Sequence, residues 1–174
     1  MSRSAEAARF EALFVPHMDA AYDLARWLTR DEAAAQDVVQ ESYLRAFRFI
    51  ARFDGGNARA WLLTIVRNQC YTWLKASPGN RWLEIEDDVM ANEPALIDAE
   101  TPELAAIRDE DGALLQTALA AVPPIFREVI VLRELENMTY KEIAVITGAP
   151  LGTIMSRLAR ARAMLKRELI GLRR

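Results

Sequence analysis

The chain has 174 residues, 52% of them hydrophobic and 27% charged, with a formal net charge of -3; this is the balance of ordinary globular material and argues against disorder. One cysteine, Cys70, and one histidine, His17, are present, so neither an internal disulfide nor a Cys/His metal set is expected. No apolar run approaches the roughly 20 residues a membrane span needs, and the start "MSRSAEAARFEALF" lacks a secretory apolar core, so a cytoplasmic protein without membrane insertion is expected.

In chain order, Phe10, Leu13, Phe14 and His17 repeat at helical spacing, and the pattern continues over Asp19 to Thr29, Asp31 to Phe53 and Ala58 to Ala76. On the helix from Asp37 to Phe53, Val39, Tyr43, Ala46, Phe47 and Ile50 form the apolar side. Asp37, Glu41, Arg45 and Arg48 face out, with Leu44 at the border. The helix after Asn57 is expected to bury Leu62, Ile65, Val66 and Trp73 and to turn Thr64, Arg67, Asn68, Tyr71 and Lys75 outward. Cations interleaved with an aromatic suit single-stranded nucleic acid, whose phosphates need charge and whose bases stack. Cys70 reads as a small helix hydrophobe.

Charge is unevenly distributed: residues 5–77 carry 9 basic and 9 acidic side chains, 78–111 carry 2 and 11, and 112–174 carry 10 and 5. The acidic middle contains three prolines and no sustained helical period, and reads as a linker between two compact units. Trp82, Leu83 and Ile85 either tack its start onto the first unit or belong to an unstructured spacer.

Beyond it, Gly112 to Val122 forms one helix, and Pro123 and Pro124 open the next. Thr139 with Glu142 is a capping box, Gly148 supplies a left-handed stop, and Pro150 suits the first turn of another helix. Two short helices around a tight turn make a helix-turn-helix. At 100° per residue, Ile154, Leu158, Ala161, Leu165 and Leu169 fall in a buried stripe about 80° wide. Ser156 and Arg160 point the opposite way, toward base edges, and Arg157 and Arg162 flank the stripe where phosphates would lie. No segment alternates with period two. The chain is expected to be all-α, with no catalytic constellation and no cofactor site.

The pieces "LARWLTRDEAAAQDVVQESYLRAFR" and "FDGGNARAWLLTIVRNQCYTWLK" together resemble domain 2 of a bacterial sigma factor. The piece "AVPPIFREVIVLRELENMTYKEIAVITGAPLGTIMSRLARARAMLKREL" resembles domain 4, in the order found in the short extracytoplasmic-function class. The resemblance implies domain 2 at 5–77, a linker at 78–111 in the polymerase's RNA path, and domain 4 at 112–174. It implies core RNA polymerase as partner, through its β′ clamp helices and β flap, together with promoter DNA and an anti-sigma factor, the free protein being a monomer. It places polymerase contacts at Asp37, Gln40, Glu41 and Leu44. Minus-10 contacts fall at Asp54, Asn57, Arg59, Thr64, Arg67, Asn68, Tyr71 and Lys75, with the loop "FDGGNAR" capturing a flipped base. Minus-35 contacts fall at Thr153, Met155, Ser156, Arg157, Arg160 and Arg162. The sequence departs from the family at Met155, where Lys or Arg is common, and at Ala159, where a larger His or aromatic is common. A stand-alone helix-turn-helix repressor would explain only the C-terminal part; a helical adaptor would leave the basic faces unexplained.

Overall fold

The computed structural model describes residues 2–77 and 112–174. Residues 78–111, with Trp82, Leu83, Ile85 and the acidic linker, lie outside the described residues. The rest form two compact all-α units.

The first unit holds α1 (Arg3–Phe14), α2 (Met18–Thr29), α3 (Glu32–Arg48) and α4 (Ala58–Ala76), with short 3-10 turns at Val15–His17 and Ile50–Arg52. Local chemistry sets the boundaries. The α2 chain stops where Arg30 adopts a left-handed conformation, φ +57°, and its N–H closes on the Arg26 carbonyl at 2.9 Å. A non-glycine residue there is uncommon, and its neighbours secure the corner: the Thr29 hydroxyl donates to the Ala25 carbonyl at 2.7 Å, and Asp31 Oδ1 accepts from the Ala34 N–H at 2.9 Å to start α3. Asn57 starts α4 in the same way, accepting from the Ala60 N–H at 3.0 Å. Helices α2, α3 and α4 pack on one another around Leu24, Leu28, Leu62, Leu63 and Val66, all without exposure.

Helix α1 is attached through aromatic rings rather than a leucine stripe. Phe14 lies 5.2 Å from Trp61 and 5.6 Å from Phe53, and Phe10 sits edge-on to Phe47 at 5.3 Å. Edge-to-face pairs at these separations add to the burial energy. The wheel reading of α3 and α4 needs correction. Val38, Ser42 and Ala46 are the buried line of α3, whereas Phe47 is 42% exposed. On α4, Leu63, Cys70, Tyr71 and Leu74 are buried with Leu62 and Val66, while Ile65 and Trp73 are only half-buried.

The second unit holds α5 (Gly112–Ala121), α6 (Pro124–Ile130) running into a π-turn at Val131–Leu135, α7 (Tyr140–Thr147) and α8 (Leu151–Leu172). Pro124 occupies the first turn of α6, where its missing N–H costs nothing. Both α5 and α6 pack against α8, burying Leu119, Val129, Leu132, Ile154 and Leu158.

Arg127 is 2% exposed. Its Nε donates to the Leu119 carbonyl at 2.9 Å and its Nη2 to the Val122 carbonyl at 2.8 Å, so a buried cation closes the carbonyl end of α5, where the helix dipole favours positive charge. Arg127→Met should lower unfolding stability by about 2 to 3 kcal/mol, the cost of stranding buried acceptors that had a charged donor. Urea denaturation measures this, and an unchanged midpoint would show that those carbonyls do not depend on Arg127.

Candidate polymerase and nucleic-acid interfaces

On α3, Asp37 and Gln40 are exposed and Leu44 is 55% exposed. Glu41 accepts from Arg45 Nε at 3.1 Å in a solvent-facing i,i+4 pair. Beside this row runs a groove of about 840 Å³ whose walls include Met18, Tyr22, Val39, Tyr43, Leu44 and Phe47, with Asp19 and Asp23 among its lining carboxylates. Residues assigned to the core from periodicity are thus a groove wall. The Tyr43 hydroxyl donates to the Phe14 carbonyl at 2.7 Å; burial, then the charge of Asp19, push its phenol up to about 12. Met18 and Tyr22 escaped the sequence reading because Asp19 to Thr29 is read there only as a helical segment, with no face assigned to a site, and Met18 lies just before it. No sequence signal marks the groove; that Met18 and Phe47 are each more than two-fifths exposed is visible only in the fold.

The loop before α4 is built by its own polar side chains. Asp54 Oδ1 accepts from the Gly56 N–H at 2.9 Å, Gly55 holds φ +87°, and Asn57 Oδ1 caps α4. Both Asp54 and Asn57, expected to meet DNA, therefore shape the turn, and both remain exposed. On α4, Asn68 and Lys75 are exposed and Thr64, Arg59 and Arg67 are half-buried.

Tyr71 is a correction. It is 7% exposed, and the Arg67 guanidinium lies over its ring at 4.1 Å, so the ring serves as a seat for Arg67 rather than as a stacking platform for a base. Thr72, exposed one turn beyond Asn68, was missed.

His17, at the α1–α2 corner, feels the charge of Arg59 on α4. Burial, then the charge of Arg59, lower its pKa from the usual value. A folded pKa below the unfolded one means the folded state binds fewer protons, so His17 contributes stability above about pH 6.5 that is lost as pH falls through its folded pKa. The stability gap between wild type and His17→Gln should therefore move against wild type between pH 7.5 and 5; a gap that widens in favour of wild type on acidification would contradict the sign.

In the second unit, Thr139 Oγ1 accepts from the Glu142 N–H at 3.2 Å, which caps α7. Gly148 is left-handed at φ +67°, and the bonds from Ala149 N–H to Ala144 O at 3.2 Å and from Gly148 N–H to Val145 O at 3.4 Å close α7 as a Schellman motif. Pro150 is the N-cap of α8, one position earlier than its expected place in the first turn. The expected stripe of α8 is buried throughout, from Ile154 to Leu169. Met155 is 47% exposed and Leu151, four residues earlier and unassigned by sequence, 43%. Thr153, Ser156, Arg157 and Arg160 are half-buried, and Ser156 Oγ donates back to the Gly152 carbonyl at 3.0 Å.

Arg162 is the second correction. Expected at a phosphate, it is 9% exposed and donates through Nη2 at 2.7 Å and Nε at 3.2 Å to Glu134 Oε1. Burial alone would lower its pKa, but hydrogen bonding and charge from Glu134, with Tyr140, outweigh it and the pKa is raised. A basic helix projecting from a helix-turn-helix is the geometry of a duplex-DNA reader.

Comparison with known proteins agrees with this geometry. Residues 13–77 match the family described as Sigma-70 region 2, and residues 112–165 match Sigma-70, region 4. An RNA polymerase sigma-H factor of Pseudomonas aeruginosa is 32% identical over 165 residues, 92% of this chain and 86% of that protein. The ECF RNA polymerase sigma-E factor of Haemophilus influenzae is 34% identical over 154 residues, 84% and 79% of the two chains. Among solved structures, the sigma factor RpoE in complex with the anti-sigma factor NepR, from Bartonella quintana, superposes with a TM-score of 0.70 at 28% identity, covering 95% of this chain and 99% of that one. The chain belongs to the extracytoplasmic-function group of the sigma-70 family of RNA polymerase sigma factors. Among the described residues, no helix is long and apolar enough to cross a membrane.

Proposed function

We propose that the chain directs core RNA polymerase to promoters through three separate helix faces. The α3 row of Asp37, Gln40, Glu41 and Leu44, with the neighbouring groove, receives the β′ clamp helices. Helix α4 holds the minus-10 strand with Arg59, Thr64, Arg67, Asn68 and Lys75, and the loop at Asp54 and Asn57 receives an extruded base; extrusion costs a few kcal/mol, which a preformed pocket and nearby cations offset. Helix α8 reads the minus-35 element with Thr153, Met155, Ser156, Arg157 and Arg160, while the C-terminal unit, residues 112–174, also meets the β flap. Residues 5–77 act as domain 2 and 78–111 as the linker. Nucleotidyl transfer belongs to the polymerase, and this chain, working in the cytoplasm, supplies promoter choice without chemistry of its own.

The observation that carries this reading is the exposure of the α3 row: Leu44 and two polar neighbours sit on an open face beside an apolar groove, where a stand-alone repressor would have no use for them. The relative from Bartonella quintana was solved with an anti-sigma factor, and by extension an anti-sigma partner covers these faces here when the protein is inactive. The test is reconstitution with core polymerase and run-off transcription over a library of genomic promoters. Transcription that requires the chain supports the reading; DNA binding without polymerase, as a dimer, would favour the repressor instead.

A further inference from the structure

The π-turn at Val131–Leu135 anchors both helices of the helix-turn-helix through adjacent side chains. Its bond from the Glu136 N–H to the Val131 carbonyl, 3.0 Å, spans five residues and inserts one extra position into the end of α6. Such insertions cluster at functional sites because they re-aim side chains. Here Arg133 turns to α7: its Nη1 donates to the Met138 carbonyl at 3.0 Å and its guanidinium lies 4.7 Å over the Tyr140 ring. Glu134 turns to α8 and takes both Arg162 bonds on one oxygen. Asn137, left-handed at φ +52°, makes the corner between turn and helix.

The buried stripe of α8 is aliphatic, and hydrophobic burial is non-directional; it selects a face but tolerates small rotations and slides. A guanidinium fork on a carboxylate is directional. We infer that Glu134 and Arg162 are positioning residues that fix the rotation and register of α8, so that its outward side chains meet the minus-35 bases. The inference deepens the reading of α8 as the minus-35 helix and rests on it.

The test uses the full chain in holoenzyme with core polymerase, on a promoter fragment selected by the wild type from a randomised minus-35 library. Arg162→Met removes the charge at similar length. If Arg162 positions α8, the slope of log affinity against log salt stays at the wild-type value, because no phosphate contact is lost, while discrimination against a scrambled minus-35 element falls roughly tenfold, about one base contact's worth. Arg157→Ala is the contrasting control, lowering the slope by about one unit. Should Arg162→Met unfold by depriving the half-buried Glu134 carboxylate of its guanidinium, the double variant Glu134→Met with Arg162→Met decides, since replacing both ends of a largely buried ion pair by apolar groups is commonly neutral or stabilising. It is expected to keep the wild-type unfolding midpoint and salt slope and to lose the same discrimination. Glu134→Gln, which keeps an acceptor for the fork, should recover part of it. A salt slope lowered by one unit in Arg162→Met, or unchanged discrimination in the double variant, overturns the inference. A wild-type holoenzyme indifferent to the minus-35 sequence would instead sink the reading of α8 itself, and this inference with it.

Discussion

The double substitution Asp37→Arg with Glu41→Arg is expected to weaken binding to core polymerase by about 100-fold or more, enough to abolish co-purification, while circular dichroism and the unfolding midpoint stay near wild type. Reversing both charges turns whatever attraction these carboxylates make across the interface into repulsion, which costs several kcal/mol, and each 1.4 kcal/mol is about tenfold in affinity. The fold should tolerate the change. Asp37 is exposed and lies outside the buried line of Val38, Ser42 and Ala46. Glu41 gives up one solvent-facing pair with Arg45, and exposed i,i+4 pairs contribute only about 0.3 to 0.5 kcal/mol. Leu44→Glu on the same row should act in the same direction, because it sets a carboxylate at the rim of an apolar groove that a partner must desolvate. Retained co-purification of the double variant would remove α3 from the polymerase interface.

How far the sequence disclosed this architecture depends on the range of the forces involved. Caps are local, so Thr139 and Gly148 could be read from a few neighbouring residues and behave in the structure as short-range chemistry dictates. Periodicity identifies an apolar side but not what covers it, which is why Val39, Tyr43 and Phe47 were assigned to the core and instead line a groove. A wheel also treats every arginine as solvated. Arg127, Arg162 and Arg67 each depart from that: one closes a helix end, one reaches a carboxylate 28 residues upstream, and one lies on a tyrosine ring. Neither the π-turn that carries Glu134 nor the left-handed Arg30 has a compositional signal, since glycine, and after it asparagine as at Asn137, is the residue such backbone normally advertises. The site was therefore legible as faces and illegible as contacts between particular side chains.

With Arg162 withdrawn, the outward surface of α8 divides into an aliphatic strip and a basic one, and the division predicts what the helix reads. Leu151 and Met155 stand one turn apart at the end of α8 that a helix-turn-helix presents to base edges, both more than two-fifths exposed. Ala159 continues the strip one turn on. Arg160 lies opposite the buried stripe and is the remaining long donor placed for guanine O6 and N7, a contact worth about 1 to 3 kcal/mol of discrimination. Arg160→Ala should therefore flatten base preference at one or two minus-35 positions, whereas Arg157→Ala should weaken binding across all sequences. The aliphatic strip has no hydrogen-bonding groups, so its base-edge partner is the thymine methyl. Replacing individual minus-35 thymines with deoxyuridine, which deletes that methyl and nothing else, should weaken wild-type holoenzyme binding roughly threefold to fivefold at one or two positions, about what one buried methyl contributes. In Leu151→Ala with Met155→Ala the same deoxyuridine substitutions should have no further effect, because the contact is already gone. Promoter affinities measured over the randomised element decide both parts: an unchanged base preference in Arg160→Ala removes Arg160 from the reading role, and a deoxyuridine penalty that persists in the double alanine variant assigns the methyl contact to another side chain.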